Sequence, residues 1–303
     1  MIPRIGTTDI PANSWIARAL PGWVLPFAQL ARWDRPIGWW LLLLPGWWGI
    51  ALLTSPESAL FWTLHLRFLL GAILMRGAGC TWNDLCDQNF DAMVERTATR
   101  PLPNGAVRRR GAYIWLMLQL ALSALILVTL SRSAILLGFF SLILVALYPL
   151  MKRITWWPQI ALGITFNWGV LMASAAVRGH IVLPAFLFYL GGIAWTLGYD
   201  TIYADQDYED DALIGVRSTA RLFGQHQPIL VGVSYAFSLW LWGIAGYAAG
   251  FGKIYGIGMA LIALLLFRQL YSWRPGERAA ALVAFKSNQL VGLVLWASVL
   301  SNK

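Results

Sequence analysis

Apolar runs of about twenty residues recur along this chain from residue 36 almost to its end, and a run of that length is enough to cross a bilayer core of ~30 Å as a helix. They fall at 36–54, 60–82, 111–130, 133–150, 157–177, 182–203, 228–249, 253–272 and 281–300. Inside hydrocarbon every backbone polar group must be paired within the protein, which leaves helices and closed barrels as the spanning structures. Composition agrees: 58% of the 303 residues are hydrophobic and only 12% are charged. Soluble domains carry about 25% charged residues. The predicted architecture is all-α, a polytopic membrane protein of about nine transmembrane helices in one bundle with a central cavity. Residues 36–303 form that membrane domain. Residues 1–35 are expected to lie on the membrane surface, because Trp15 to Trp33 mixes Arg18 and Arg32 with tryptophan, leucine, phenylalanine and two prolines.

Charge placement gives the orientation. Seventeen of the 23 Lys and Arg residues fall on one side, in the N-terminus, in the segment from Arg96 to Arg110, at Lys152 and Arg153, at Arg217 and Arg221, and from Arg268 to Lys286. Arg132, Arg178, Lys253 and Lys303 fall on the other. Cytoplasmic loops carry the excess of positive charge, so the N-terminus is expected in the cytoplasm. The net charge of +9 follows from that bias and calls for no nucleic acid. Membrane lipid is the expected surrounding, and no obligate protein partner is predicted. Cys80 and Cys86 are six residues apart, on different faces of a helix, and read as reduced packing residues.

The acids are distributed very unevenly. Of 14 acidic residues, Asp84, Asp87, Asp91 and Glu95 lie in one short window; Asp200, Asp205, Asp207, Glu209, Asp210 and Asp211 lie in another. Each window ends an apolar run on the positively charged side. Asn83, Asp87 and Asp91 are spaced i, i+4, i+8, which forms one stripe if the helix continues. Tyr203, Asp207 and Asp211 repeat that spacing, with Asp200 one turn earlier. Carboxylates and an amide on one stripe are hard oxygen donors, suited to Mg²⁺, which keeps open positions for water and phosphate oxygens. The tails 96–102 and 217–223 also align, so the two windows read either as a pseudo-repeat or as chance likeness between two acidic turns.

Basic residues accompany the acids: Arg96 follows Asp91, Arg217 follows Asp211, and Lys152 and Arg153 close the fourth run. A site built to pass bare cations has no use for that crowding. A magnesium-bound dianion such as diphosphate has, since metal and basic groups stabilise the charge that develops as it leaves. An acid-lined cation transporter remains the rival class, although such sites lie near the bilayer midplane. Arg76, two turns before Asn83 within the second run, is a functional candidate by its depth alone.

Asn83-Asp84-x-x-Asp87-x-x-x-Asp91 with Arg96-Thr97-x-x-Arg100-Pro101-Leu102 resembles the first motif of the UbiA superfamily of intramembrane aromatic prenyltransferases. Asp200-x-x-Tyr203-Ala204-x-x-Asp207-x-x-x-Asp211 resembles the second, and Tyr148-Pro149-x-x-Lys152-Arg153 a further family segment. The likeness runs from about Arg32 onward. Within the superfamily the pattern is most similar to bacterial 4-hydroxybenzoate polyprenyltransferases of ubiquinone synthesis, with protohaem farnesyltransferases second. That resemblance implies Mg²⁺ as cofactor, a polyprenyl diphosphate and 4-hydroxybenzoate as substrates, and a bacterial inner (plasma) membrane location with a cytoplasmic active site. It implies metal ligation by Asn83, Asp87, Asp91, Asp207 and Asp211, with Asp200 assisting and Tyr203 in the substrate site. Lys152, Arg153, Arg96 and Arg217 are then expected to serve the diphosphate, and Arg35 or Arg76 the acceptor's carboxylate.

Overall fold

The computed structural model describes residue 10, residues 14–93 and residues 97–302; Arg4 and Arg96 lie outside the described residues. Short helices α1 (Trp15–Ala19) and α2 (Leu25–Leu30) precede α3 (Ile37–Leu53), α4 (Ala59–Asp91), α5 (Arg109–Leu127) and α6 (Arg132–Ile154). Then come α7 (Pro158–Phe166), α8 (Trp168–Arg178), α9 (Leu183–Ala204), α10 (Tyr208–Ile214) and α11 (Thr219–Phe223). The chain ends with α12 (Gln227–Ala248), α13 (Lys253–Ser272) and α14 (Arg278–Leu300). Every apolar run is helical, so the all-α membrane fold stands. The count of nine spans is not confirmed. Among the described residues seven helical stretches are long and apolar enough to cross. Helix α3 has 17 residues and is shorter. Helix α9 is not among the seven; Pro184, Gly191, Gly192, Tyr199 and Asp200 dilute its apolar character.

The chain forms two compact units, residues 1–39 with 70–126 and residues 40–69 with 127–303. In the first, Leu30, Ala78, Leu85, Leu102, Val107, Ala112 and Leu116 make the core, with Phe27, Trp82 and Trp115 packed against it. Helix α4 sets the position of the acidic residues. Its 33 residues span ~50 Å at 1.5 Å per residue, well beyond the ~30 Å of hydrocarbon. An apolar start therefore leaves the last turns, Asn83 to Asp91, at or past the membrane surface. Gly77 lets α5 come close: a Cβ there would fall 2.0 Å from Gln119 Oε1.

In the second unit α9 is the central helix, packed by α12, α7, α14 and α8. Its core is aromatic. Trp48, Trp195 and Trp242 are fully buried, with ring centroids 5.4 to 5.9 Å apart. Each indole N–H has an acceptor, as buried tryptophan requires: Gly292 O for Trp48, Asn288 Oδ1 for Trp195 and Phe188 O for Trp242. The fifth run is divided at Asn167, whose Nδ2 donates to Gly163 O and Thr196 Oγ1, both at 2.9 Å.

Candidate active site

The first acidic motif lies on the last three turns of α4, within the first unit. Asp84, Asp87 and Asp91 are buried and Asn83 is half-buried. Such burial is costly for carboxylates unless each is paired. Arg32 Nη2 donates to Asp84 Oδ1 at 2.8 Å, and Arg100 Nη1 lies 3.5 Å from the same oxygen. Arg100 Nη1 also donates to Asp91 Oδ2 at 2.8 Å. One guanidinium thus spans two carboxylates, and Arg32–Asp84–Arg100–Asp91 forms a continuous chain of charge. Arg32 reaches it from a backbone with φ of 59°, a left-handed conformation rare for a residue other than glycine. A hydrogen bond from its Nη1 to Gln29 O also helps hold it. Thr97 Oγ1 donates to Asp91 O at 2.8 Å and closes the loop that follows the helix.

Two partners here were not singled out from sequence. Arg100 carried a signal, its place in the Arg-Thr-x-x-Arg-Pro-Leu tail. Arg32 carried none, being 52 residues from Asp84. The carboxylate of Asp84, already shared by two guanidiniums, points to a holding role distinct from that of Asp87. Of the acceptor-carboxylate candidates, Arg35 donates through Nε to Asp34 Oδ2 at 3.0 Å. Arg76 lies against Gly38: a Cβ on that glycine would stand 2.5 Å from Arg76 Nε.

The second motif, in the second unit, departs from the expected stripe. Helix α9 stops at Ala204, a 3₁₀ turn covers Asp205–Asp207, and α10 begins at Tyr208. Tyr203, Asp207 and Asp211 are therefore not on one continuous α-helix. The 3₁₀ turn advances ~120° per residue in place of ~100°, so three residues shift the phase by about 60°. Asp205 is the physical reason. It turns into the core and its carboxylate accepts from Gln227 Nε2 at 3.0 Å, Trp273 Nε1 at 3.3 Å and Gly276 N at 2.7 Å. Asp207, the N-cap of α10, stands one turn before Asp211 within it, and Asp200 and Tyr203 are one turn apart on α9, where Tyr203 packs on Phe285 with centroids 4.4 Å apart.

Lys152 and Arg217 are brought together through the backbone. Arg217 N donates to Lys152 O at 3.0 Å, while Thr219 N donates to Gln159 Oε1 and Thr219 pairs with Thr201. Lys152 is half-buried and Arg153 exposed. Arg217 Nη1 donates to Ile154 O at 2.7 Å, and the guanidiniums of Arg217 and Arg221 lie 5.7 and 5.5 Å from the Trp156 ring centroid. Among the described residues no three His, Cys, Asp or Glu side chains converge as a metal-binding group. Setting aside Asp84 and Asp200, each motif has two further carboxylates, Asp87 with Asp91 and Asp207 with Asp211. By donor type they fit a hard divalent ion that completes its shell with amide, water and phosphate oxygens.

A prenyl-transferring membrane protein is the class this fold and these motifs define. The model of the UbiA prenyltransferase family matches residues 42–297, and the chain belongs to that family. It is 44% identical over 275 residues to the mitochondrial 4-hydroxybenzoate polyprenyltransferase of Drosophila pseudoobscura pseudoobscura, covering 90% of this chain and 69% of that protein. A UbiA homologue from Aeropyrum pernix superposes with a TM-score of 0.74 at 25% identity, covering 86% of this chain and 97% of that one. A homologue from Archaeoglobus fulgidus, bound to DMAPP and Mg²⁺, superposes with a TM-score of 0.71 at 19% identity over 91% of this chain and 99% of that one. Membership sets the transporter reading aside. The expected bacterial plasma membrane is overturned as well: the matching curated relatives from insects, mammals and a plant are named as mitochondrial. Placement of Lys and Arg reports which side of a membrane a loop occupies, not which membrane it is. The multi-pass character is unaffected.

Proposed function

We propose that Asn83, Asp87 and Asp91, and likewise Asp207 and Asp211 with Asp200 beside them, hold Mg²⁺ for a polyprenyl diphosphate. The chain transfers the polyprenyl group to 4-hydroxybenzoate, at the ring carbon beside the hydroxyl, a step of ubiquinone biosynthesis. Identity of 44% across nine-tenths of the chain to a relative of that activity carries this reading. Bound Mg²⁺ would neutralise the diphosphate and stabilise the charge it gains on leaving. Lys152 adds a cation from the end of α6, with Arg153 next to it and Arg217 bonded through its backbone N–H to Lys152 O. The C–O bond breaks with its electron pair going to the diphosphate, and the allylic cation is attacked by the ring carbon that the hydroxyl enriches. The proton on that carbon passes to the released diphosphate or to a neighbouring aspartate, which restores aromaticity. Burial of Asp87 and Asp91 favours the reading, because water at the cation would compete with the acceptor. Arg76 or Arg35 takes the acceptor's carboxylate.

The test is prenyl transfer by purified protein in detergent, with a polyprenyl diphosphate and a panel of aromatic acceptors. Prenylated 4-hydroxybenzoate is expected with Mg²⁺ and not with chelator. Preference for another acceptor, or undiminished turnover in chelator, would overturn the assignment or its metal role respectively.

A further inference from the structure

A groove of about 240 Å³ opens between the C-terminal turns of α4 and the start of α5, lined by Trp82, Gln88, Asn89, Arg109 and Tyr113, with Leu85 and Cys86 beneath. It is not the diphosphate site. Successive residues of an α-helix are ~100° apart, which places Asn89 about 200° around α4 from Asp87 and Trp82 about 220°. The groove therefore lies on the side of the helix away from the carboxylate stripe. It far exceeds the ~10–15 Å³ needed for one water.

We infer that this groove binds the headgroup of an anionic glycerophospholipid. Among the described residues Arg109 is the one charged residue that lines it, and its exposed side chain has no ion pair or hydrogen bond with a described residue. It stands between Arg108 and Arg110, on the Lys- and Arg-rich side of the chain, where basic pockets between membrane helices attract lipid phosphates. Gln88 lines the groove beside it, with Nε2 donating to Leu102 O at 3.4 Å and Oε1 buried without a partner among the described residues. Trp82 and Tyr113 are of the residue types that favour the membrane interface. From Tyr113 the exposed face of α5 continues through Ile114, Met117, Leu118, Leu122 and Leu125, an apolar track for the acyl chains below the phosphate.

Native mass spectrometry of the whole chain in detergent, titrated with phosphatidylglycerol or with phosphatidylcholine of the same acyl chains, tests this. Phosphatidylglycerol is expected to bind saturably and about five-fold more tightly, since an arginine near a lipid phosphate is worth ~1 kcal/mol. Arg109→Gln should bring the two lipids to equal affinity, and Arg109→Lys should restore most of the preference. Asn89→Trp, which fills the groove and keeps its charge, should abolish saturable binding. Arg274→Gln, an exposed arginine elsewhere, should change nothing. Inorganic phosphate should not compete. Unaltered lipid preference in both Arg109→Gln and Asn89→Trp would overturn the inference. So would competition by phosphate as effective as that by the lipid, which would assign the groove to a soluble anion.

Discussion

Asp84→Asn separates a carboxylate that holds the site from one that binds metal. The side chain is fully buried and its Oδ1 is shared by Arg32 at 2.8 Å and Arg100 at 3.5 Å. Removing one partner of a buried ion pair costs about 3–5 kcal/mol. Asparagine keeps the volume and one acceptor oxygen, and Arg100 retains Asp91 at 2.8 Å, so the expected loss is at the lower end, about 3 kcal/mol. That is a factor of roughly 150 in the folding equilibrium and on the order of 5 °C in melting temperature. Prenyl transfer measured against Mg²⁺ concentration gives the second readout. A residue that orients a ligand from behind shifts metal affinity by about ten- to hundred-fold, and Asp84 reaches Asp91 through Arg100. The half-saturating Mg²⁺ should therefore rise less than about ten-fold while turnover and stability fall. In Asp87→Asn the response to Mg²⁺ should vanish with stability largely kept. An Asp84→Asn protein of normal melting temperature, needing more than about a hundred-fold extra Mg²⁺, would refute the holding role and make Asp84 a ligand.

Asp87→Ala and Asp207→Ala should each abolish prenyl transfer in membranes while insertion and helicity persist; near-normal turnover would remove the metal role. Asp205→Ala leaves three donors unpaired, at about 1–3 kcal/mol each, and should lower the melting temperature sharply with the half-saturating Mg²⁺ unchanged in whatever folds. Arg76→Ala should raise KM for the aromatic acid more than for the prenyl donor, and Gly38→Ala should do the same more weakly by displacing Arg76. Burial raises the Asp34 carboxyl above its ordinary 3.8, against the pull of Arg35 and Arg32. A carboxyl raised in the folded state binds its proton more tightly there, so stability falls as pH rises from 3.8 through the folded value. Asp34→Asn should flatten that slope in a series of melting temperatures against pH.

Period and length made most of the fold legible: apolar runs became helices because only a helix satisfies its own backbone in lipid. Asn83, Asp87 and Asp91 were legible for the same reason, since α4 continues unbroken through Asp91. The second stripe was not, because helix continuation is decided by tertiary contacts. Nothing local to Asp205 announces that Gln227, Trp273 and Gly276 will bind it, at separations of 22 to 71 residues. Arg32 was opaque for a related reason: its left-handed backbone and its reach to Asp84 are both set by the loop in which it sits. Composition likewise hid the division of α3 and α4 between two compact units, since apolar residues continue through both boundaries.

The two motifs are alike in sequence yet are held by different forces. In the first, buried carboxylates are balanced by guanidiniums from outside the helix, so its geometry depends on charge: Arg100 touches both Asp84 and Asp91. In the second, a 3₁₀ turn is anchored by the Asp205 carboxylate on the uncharged donors of Gln227, Trp273 and Gly276, and a loop is pinned by Thr219 to Gln159 and Thr201. Ion pairs reorganise when a multivalent ligand competes for either partner, whereas a backbone turn does not. The Asp91–Arg100 contact is therefore the one that a bound cation should loosen, because both draw on the same carboxylate. A stabilising effect of Mg²⁺ on the native protein should thus grow in Arg100→Gln, where the ion no longer displaces a guanidinium. Melting temperatures with and without Mg²⁺ measure this directly. A smaller Mg²⁺ effect in the variant than in the native chain would show that Arg100 assists the ion instead of competing with it.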